Sequence, residues 1–326
     1  MRFGRLTLIA ALLGAAAWTT PVAASAPPTD GTAADATAAD SFTPVTIEHR
    51  YGSTEISERP ERIVSLDGQW TDTLVALGAL PVGYLADTYY DGDVYPWLGD
   101  SLADSARLEF TDSISYEQVA ALEPDLIVIS WRAEDEGMYD SLAAIAPTIT
   151  SLSDAVVDPW QDITAAAGQI LGEEEHAAQL IDEVEQQIAG VATELPGLAG
   201  KTFAFANYLP GDQIYVLTDP ADGAIAFFLA LGLELPESLV GGEAPAGGRY
   251  EISFEQISLL DSDVLIMLTN GADTSDITGF DQLPAVQDDA YILLDYAGAT
   301  ALNVPSALSL SYGIDAVMPA LEAAAS

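Results

Sequence analysis

The chain has 326 residues, with 51 acidic side chains against nine lysines and arginines, a formal net charge of −42 and no cysteine. Such an acidic surface repels nucleic acid and anionic membranes, which excludes both as partners to first order. Without cysteine there are no disulfides, so stability has to come from buried apolar side chains. The length suits two domains of roughly 120–150 residues better than one.

Residues 1–26 have the pattern of an export signal peptide. Two arginines precede an apolar run from Leu6 to Trp18 that is too short to cross a bilayer, and Ala-Ser-Ala follows at 24–26. Its removal leaves seven basic against 51 acidic residues, a formal charge of −44. A lipid anchor needs a cysteine at the cleavage point, so we expect an exported protein in the periplasm, the cell envelope or the medium, without a lipid anchor.

Residues 27–43 are a Pro, Ala, Thr and Asp tract with too little apolar content to fold, and they predict a disordered tether. From 44 to 157 short apolar runs alternate with helical segments. A strand at 62–66 is followed by a helix at 70–80 and another strand at 81–85. Continuous apolar strands are typical of parallel sheets that are covered on both faces. An N-terminal α/β lobe is therefore predicted for residues 44–157.

Residues 158–194 change to an almost unbroken helical pattern, in which Gly172 is a candidate break or cap. The second half places apolar residues on one face at spacings of three and four: Ile181, Val184, Ile188 and Val191. Alternation of strands and helices then resumes across 195–326. This order predicts two α/β lobes with a helical connection between them.

A repeat supports two related lobes. The segment ISYEQVAALEPDLIVIS at 114–130 returns as ISFEQISLLDSDVLIML at 252–268, with six of 17 positions identical and an offset of 138 residues. That offset is far longer than the repeat of a solenoid. Each copy predicts a helix that opens with a Ser and Gln capping box and leads into a buried strand.

Two glutamates occupy the same place in these copies. Glu117 and Glu255 fall in the first helical turn, where a carboxylate is mildly stabilised by the helix dipole. Local physics alone favours this ordinary role. The alternative is a matched pair of exposed carboxylates that docks on a partner with two similar basic pockets.

Residues 45–66, VTIEHRYGSTEISERPERIVSL, carry a family resemblance. They resemble the N-terminal signature G-x-T-x-I-x-x-x-P-x-R-V-V-x-L of the iron-complex (ferric siderophore) substrate-binding proteins of ABC importers. The resemblance continues through YEQVAALEPDLIVIS at 116–130 and FDQLPAVQDDAYILLD at 280–295, and it covers nearly everything after the tether. One departure is Asp72, where many members of that family have Glu.

This resemblance implies two Rossmann-like α/β lobes bridged by a single long α-helix, with the ligand held in the cleft between the lobes. It implies a monomeric binding protein that catalyses nothing, needs no cofactor and delivers a ferric siderophore to an ABC permease dimer with its ATPase. In such proteins a Glu on each lobe pairs with arginines of the two permease subunits. The matching positions are Glu117 and Glu255.

In open α/β sheets, ligands bind beyond the carboxyl ends of the strands. Aromatic rings and arginines near those ends suit a flat, polar metal chelate with some negative charge. The candidate ligand contacts are Trp70, Tyr89, Tyr90, Trp97, Trp131, Arg132, Tyr208 and Arg249. Arg132 could equally pair with a nearby acid, and the rings could equally serve packing.

Other ligands and activities stay open as alternatives. One alternative is a heme or corrinoid carrier of the same fold. For heme, a tyrosine such as Tyr89, Tyr90 or Tyr208 would be the axial ligand. An extracellular hydrolase is a more distant alternative, because the sequence contains no G-x-S-x-G motif and no cysteine. Direct metal binding is poorly supported, since His49 and His176 are the sole histidines and both are expected to face solvent.

Overall fold

The computed structural model describes residues 42–92, 94–109, 113–130, 132–133, 135–209, 213–240, 249–269 and 272–326. The predicted signal peptide, nearly all of the predicted tether and Trp131 lie outside the described residues. The last part of the predicted tether is not solvated, because Phe42 packs against the core of the N-terminal lobe. Within the described part of the chain, no helix combines the length and apolar character that a membrane span requires.

The N-terminal lobe contains a hairpin and a five-stranded sheet. Strands β1 (Val45–His49) and β2 (Gly52–Ile56) pair antiparallel. The sheet has the order β5-β4-β3-β6-β7, and every neighbouring pair is parallel. Its strands are β3 (Ile63–Ser65), β4 (Gly83–Ala86), β5 (Ala106–Glu109), β6 (Leu126–Val128) and β7 (Thr148–Ile149). Its helices are α1 (Gly68–Ala76), α2 (Tyr116–Ala121) and α3 (Glu136–Ala143).

The connection consists of two helices, α4 (Trp160–Leu171) and α5 (Glu174–Glu194). Gly172 ends α4 with a φ of 66°, a left-handed conformation that glycine adopts without steric cost. The single long helix that the resemblance implies is therefore interrupted at this residue, which the sequence indicated as a candidate break. Helix α4 belongs to the core of the first lobe through residues such as Ile163, whereas α5 contributes Val184 and Ile188 to the core of the second.

The C-terminal lobe has a second five-stranded sheet with the order β10-β9-β8-β11-β12. Its strands are β8 (Phe203–Leu209), β9 (Gln213–Leu217), β10 (Arg249–Ile252), β11 (Val264–Leu268) and β12 (Tyr291–Leu294). Its helices are α6 (Gly223–Ala230), α7 (Glu237–Val240), α8 (Pro284–Gln287), α9 (Tyr296–Asn303) and α10 (Ser309–Ala324).

Strand β9 departs from the parallel arrangement that the sequence predicts. It runs antiparallel to both of its neighbours, β8 and β10, while β8, β11 and β12 are parallel. The three residues at 210–212 between β8 and β9 are too few for the crossover that a parallel connection requires. The second sheet is therefore mixed.

The two copies of the sequence repeat occupy equivalent positions. Each copy follows an edge strand, β5 or β10, and leads into the fourth strand of its sheet, β6 or β11. The first copy forms α2, and the second forms a 3₁₀ helix at Phe254–Leu260. The matching strand orders of the two sheets show why the repeat occurs: each lobe is built on the same spatial plan.

Candidate functional site

A cavity lies between the two lobes at the carboxyl ends of the strands of the first sheet. The N-terminal lobe lines it with the start of α1, the end of β4, the loop after β4 and Arg132, which follows β6. The C-terminal lobe contributes Thr300 and Val304 from the end of α9. The cavity volume is about 60 Å³. This is the position at which open α/β sheets bind ligands.

Aromatic side chains from both lobes meet beside this cavity. The Tyr90 and Tyr95 rings stack with their centroids 4.7 Å apart, and the Tyr95 and Trp97 rings stack at 4.6 Å with an angle of 5° between their planes. From the C-terminal lobe, Tyr312 lies 5.4 Å from Trp97 and Tyr296 lies 6.4 Å from Tyr90. We call these five rings the aromatic cluster. It includes two predicted ligand contacts, Tyr90 and Trp97.

Asp87 connects the aromatic cluster across the cleft. Its Oδ2 accepts hydrogen bonds from the Tyr95 hydroxyl at 2.8 Å and from the Tyr296 hydroxyl at 3.0 Å. Burial raises the pKa of both tyrosines, and the nearby Asp87 charge raises them further, so both remain donors at physiological pH. One carboxylate from the N-terminal lobe thus holds a tyrosine of each lobe.

Asp72 makes a second connection between the lobes. Its Oδ2 accepts hydrogen bonds from Trp97 Nε1 at 2.8 Å and from the Ser306 hydroxyl of the C-terminal lobe at 2.7 Å. Its Oδ1 is buried and has no hydrogen-bond partner among the described residues. Burial raises the pKa of Asp72 to about 7, although the two hydrogen bonds oppose the shift. The carboxyl group therefore titrates near neutral pH.

The first turn of α1 holds the base of the cavity in place. Asp67 caps this helix by accepting from Trp70 N at 3.0 Å, and its other oxygen accepts from the Ser130 hydroxyl at 2.8 Å. Burial raises the pKa of Asp67, while these hydrogen bonds and the positive charge of Arg132 lower it. Gln69 Nε2 donates to the Pro305 carbonyl at 2.8 Å and so forms a third link to the C-terminal lobe.

Two predicted ligand contacts are instead buried in the protein core. Trp70 has no exposed surface and packs in the core of the N-terminal lobe. The neighbouring residues Thr71 and Asp72 line the cavity instead. Tyr208 is 2% exposed and packs against Phe254 on one face of the second sheet. Alternate residues of a strand face opposite sides, and Tyr208 lies on the same buried face of β8 as Ala204 and Ala206.

Arg249 is engaged inside the C-terminal lobe. Its guanidinium donates to both oxygens of Asp222, at 3.0 and 3.1 Å, and to Asn303 Oδ1 at 2.9 Å. Asp222 also caps α6, so this ion pair joins β10 to the ends of α6 and α9. Neither Arg249 nor Tyr89, which is 79% exposed, belongs to the described cavity lining. Of the predicted contacts, the structure brings together Tyr90, Trp97 and Arg132.

Five residues of the site were not predicted from the sequence. Two are the polar contacts Asp72 and Asp87, and three are the aromatic residues Tyr95, Tyr296 and Tyr312. Tyr95 stands between Tyr90 and Trp97 in the sequence, so its proximity to two aromatic candidates was a usable signal. Tyr296 and Tyr312 are roughly 200 residues away from that loop in the sequence, and no local pattern distinguishes them.

Glu117 and Glu255 are both exposed, in the first turns of α2 and of the 3₁₀ helix at Phe254–Leu260. Both helices follow edge strands that run parallel to the central strands of their sheets. They therefore start at the carboxyl edge of each sheet. The predicted capping box is complete at Ser253 and Gln256, where Ser253 N donates to Gln256 Oε1 at 3.1 Å. At Ser115 one of its two bonds is present, from Gln118 N to the Ser115 hydroxyl at 3.4 Å.

The described residues contain no group of three His, Cys, Asp or Glu side chains placed to hold a metal ion. His176 is exposed, as expected, but His49 is not: it is 8% exposed and hydrogen-bonded to the Thr54 hydroxyl at 3.0 Å. Burial lowers the pKa of His49. Its imidazole is thus part of the packing between the β1–β2 hairpin and the rest of the lobe.

Comparisons with known proteins agree with this architecture. A sequence model of the family described as "Periplasmic binding protein" matches residues 63–287. The probable siderophore-binding lipoprotein YfiY of Bacillus subtilis is 28% identical over 235 residues, which are 71% of this chain and 70% of that protein. The Fe(3+) dicitrate-binding periplasmic protein FecB of Escherichia coli is 25% identical over 209 residues, 64% and 67% of the two chains.

A solved structure shows the same fold. The crystal structure of a periplasmic solute-binding protein from Mycobacterium smegmatis superposes with a TM-score of 0.73 at 28% identity. The superposition covers 87% of this chain and 99% of that one. It therefore extends over both lobes and the helices that connect them.

Proposed function

The chain belongs to the periplasmic binding protein family, and on that basis we propose that it captures a ferric siderophore outside the cytoplasm for an ABC importer. The relatives in Bacillus subtilis and Escherichia coli are described as binding a siderophore and Fe(3+) dicitrate. The observation that carries the proposal is the cavity between the lobes, lined by aromatic rings and one arginine. Such a site binds and releases its ligand without chemical change.

The cavity has to expand to accept this ligand. Pockets for drug-sized molecules typically have roughly 300–1,000 Å³, whereas this cavity has about 60 Å³. The aromatic cluster packs beside the cavity, and hydrogen bonds of Asp72, Asp87 and Gln69 hold the two lobes together there. A chelate would replace these contacts between the lobes with its own. Binding would then shift the population between a closed and a more open arrangement.

Tryptophan fluorescence tests the ligand class. Trp97 lies in the aromatic cluster, so a ferric siderophore that enters the cavity should quench its emission, and free chelator or bare Fe³⁺ should quench it far less. Trp97→Phe should remove most of the quenching, while Trp160→Phe, in the core of the C-terminal lobe, should retain it. If heme or a corrinoid alone quenched the emission, the ligand would be of that class and not a ferric siderophore. If none of these compounds quenched it, the proposed ligand capture would be refuted.

We further propose that Glu117 and Glu255 dock on the two subunits of the permease, whose ATPase supplies the energy. Both carboxylates are exposed at the carboxyl edges of equivalent sheets, which suits a partner built from two similar subunits. The double variant Glu117→Ala/Glu255→Ala should abolish uptake of the ferric complex and retain its affinity. The matched control removes Glu174 and Glu175, which are also exposed acids in a first helical turn. Normal uptake by the Glu117/Glu255 variant would refute docking.

The predicted export of this protein agrees with the descriptions of its relatives, one as a lipoprotein and the other as a periplasmic protein. We propose that the mature protein begins after residue 26 and acts as a monomer without a lipid anchor. Mass spectrometry of the exported protein would test the cleavage point, and a mass that includes a lipid would contradict this part of the proposal.

A further inference from the structure

The charges around the cavity limit which ferric complexes it can hold. Asp72 and Asp87 line the cavity, and Asp67, which caps α1, directly precedes Gly68 of the lining. Arg132 is the one basic residue among the described residues of the lining. Three carboxyl groups and one guanidinium give a formal charge of −2 when all are ionised, and of 0 when the two buried acids, Asp67 and Asp72, are protonated. The cavity is therefore not positive in either state.

The rest of the chain has no further positive charge to offer. Seven basic residues follow residue 41, and all seven are among the described residues. Apart from Arg132 they lie outside the described lining: Arg50, Arg59, Arg62, Arg107, Lys201 and Arg249. Several have partners of their own, such as Glu109 for Arg107 and Asp222 for Arg249. The residues after 41 that the structure does not describe include acids but no lysine or arginine, so they add no cationic side chain.

We propose that this cavity selects ferric chelates of zero or positive overall charge, the class formed by trihydroxamates, over anionic tricatecholate and citrate-type complexes. This inference rests on the proposed function. Three hydroxamate groups carry one negative charge each and neutralise ferric iron. Three catecholate groups carry two each and leave the complex with three negative charges. The sequence suggested a chelate with some negative charge, and the placement of the carboxylates reverses that expectation.

The contacts of Asp72 indicate what such a ligand would offer. Its Oδ1 is buried, without a partner among the described residues, and lies in a side chain that lines the cavity. A buried acceptor without a partner is costly, so a ligand that donates an N–H or O–H group to it gains affinity. An anionic chelate at the same place meets the Asp87 carboxylate, and that of Asp72 whenever Asp72 is ionised, at short range in a medium that screens them weakly. Arg132 offsets this repulsion only in part, because one guanidinium faces more than one acid at the cavity.

Dissociation constants for three classes of ferric complex would test the inference. Tryptophan emission of the wild-type protein is measured with a trihydroxamate, a tricatecholate and a citrate complex of Fe³⁺. We expect the trihydroxamate to bind at least about tenfold more tightly than the tricatecholate at low ionic strength, since two like charges in a partly buried site repel by more than the equivalent free energy. The ratio should shrink as salt rises from about 50 mM to about 500 mM, because salt screens the repulsion.

Charge variants then assign the selectivity to the cavity. Asp87→Asn and Asp72→Asn should each bring the two dissociation constants several-fold closer together, and Arg132→Gln should separate them further. Asp182→Asn makes the same change of net charge on an exposed position of α5, and it should leave the ratio at its wild-type value. Circular dichroism checks that each variant is folded. If a variant does not fold, the salt dependence of the wild-type binding ratio still tests the inference.

The outcomes separate the two proposals. Equal or tighter binding of the tricatecholate, or an equal effect of Asp182→Asn and Asp87→Asn on the ratio, would overturn the charge selectivity and leave the proposed function intact. If no ferric siderophore of any class binds, the proposed function itself is refuted.

Discussion

Asp72→Asn is the substitution whose effect follows most directly from the structure. The side chain is 3% exposed, and the amide has nearly the same shape as the carboxyl group. The amide oxygen can accept the hydrogen bonds from Trp97 and Ser306, so the link between the lobes is retained. The change removes a charge that the folded protein has to bury whenever Asp72 is ionised.

The magnitude follows from the raised pKa. The pKa of Asp72 is about 7 in the folded protein against an ordinary value of 3.8. The folded state therefore binds a proton more tightly than the unfolded state, and the stabilisation that this provides is complete below pH about 4 and is lost as pH rises through 7. Three pKa units correspond to about 4 kcal/mol, an upper value because water entering the cleft would reduce it. The free energy of unfolding of the wild type should fall by up to this amount across that window.

Urea unfolding of the wild type and of Asp72→Asn at pH 5, 6, 7 and 8 measures the effect. Subtracting the two curves removes most of the contribution of other buried acids, because burial also raises the pKa of Asp67 and Asp158 in both proteins. The variant should gain stability relative to the wild type as pH rises, by a few kcal/mol between pH 5 and 8. A difference that stays constant over this range would refute the assignment of a titrating carboxyl group to Asp72.

Three further substitutions separate packing from ligand binding. Trp70→Ala should lower the free energy of unfolding by about 3–5 kcal/mol because it empties a large core site; a loss below 1 kcal/mol would contradict its burial. Arg249→Met leaves Asp222 buried without its cation, which should cost about 3–5 kcal/mol in urea unfolding at an unchanged dissociation constant for the ferric complex. Weaker binding of the ferric complex by that variant would indicate that Arg249 contacts the ligand after all. Gly172→Ala should cost about 1–2 kcal/mol because alanine is strained at positive φ, and an unchanged melting temperature would argue against the break between α4 and α5.

The sequence was sufficient for those features that depend on neighbouring residues. The period of the apolar residues marked strands and helices, and the capping pairs at Ser115 and Ser253 marked where two of the helices begin. The repeat at 114–130 and 252–268 predicted two related lobes, and the two sheets have the same strand order. The signature at 45–66 and the later motifs sufficed for the family, because they carry its sequence pattern directly.

Part of the site could also be expected from the sequence. Tyr90, Trp97 and Arg132 follow strands of the first sheet, and parallel strands bring their carboxyl ends to one edge. Whether a side chain at such an end faces the cavity or the core is a different matter. Trp70 and Asp72 are two positions apart on α1, yet the first is in the core and the second lines the cavity.

Tertiary structure alone decided the contacts that join distant segments. Tyr296 and Tyr312 reach the aromatic cluster from the other end of the chain, and Ser306 meets Asp72 across 234 positions. Burial and pKa values depend on everything packed around a group, and most of that surrounding comes from elsewhere in the sequence. For the same reason the acidic composition predicted a charged surface, but the fold determined that carboxylates also face the cavity and that one arginine opposes them.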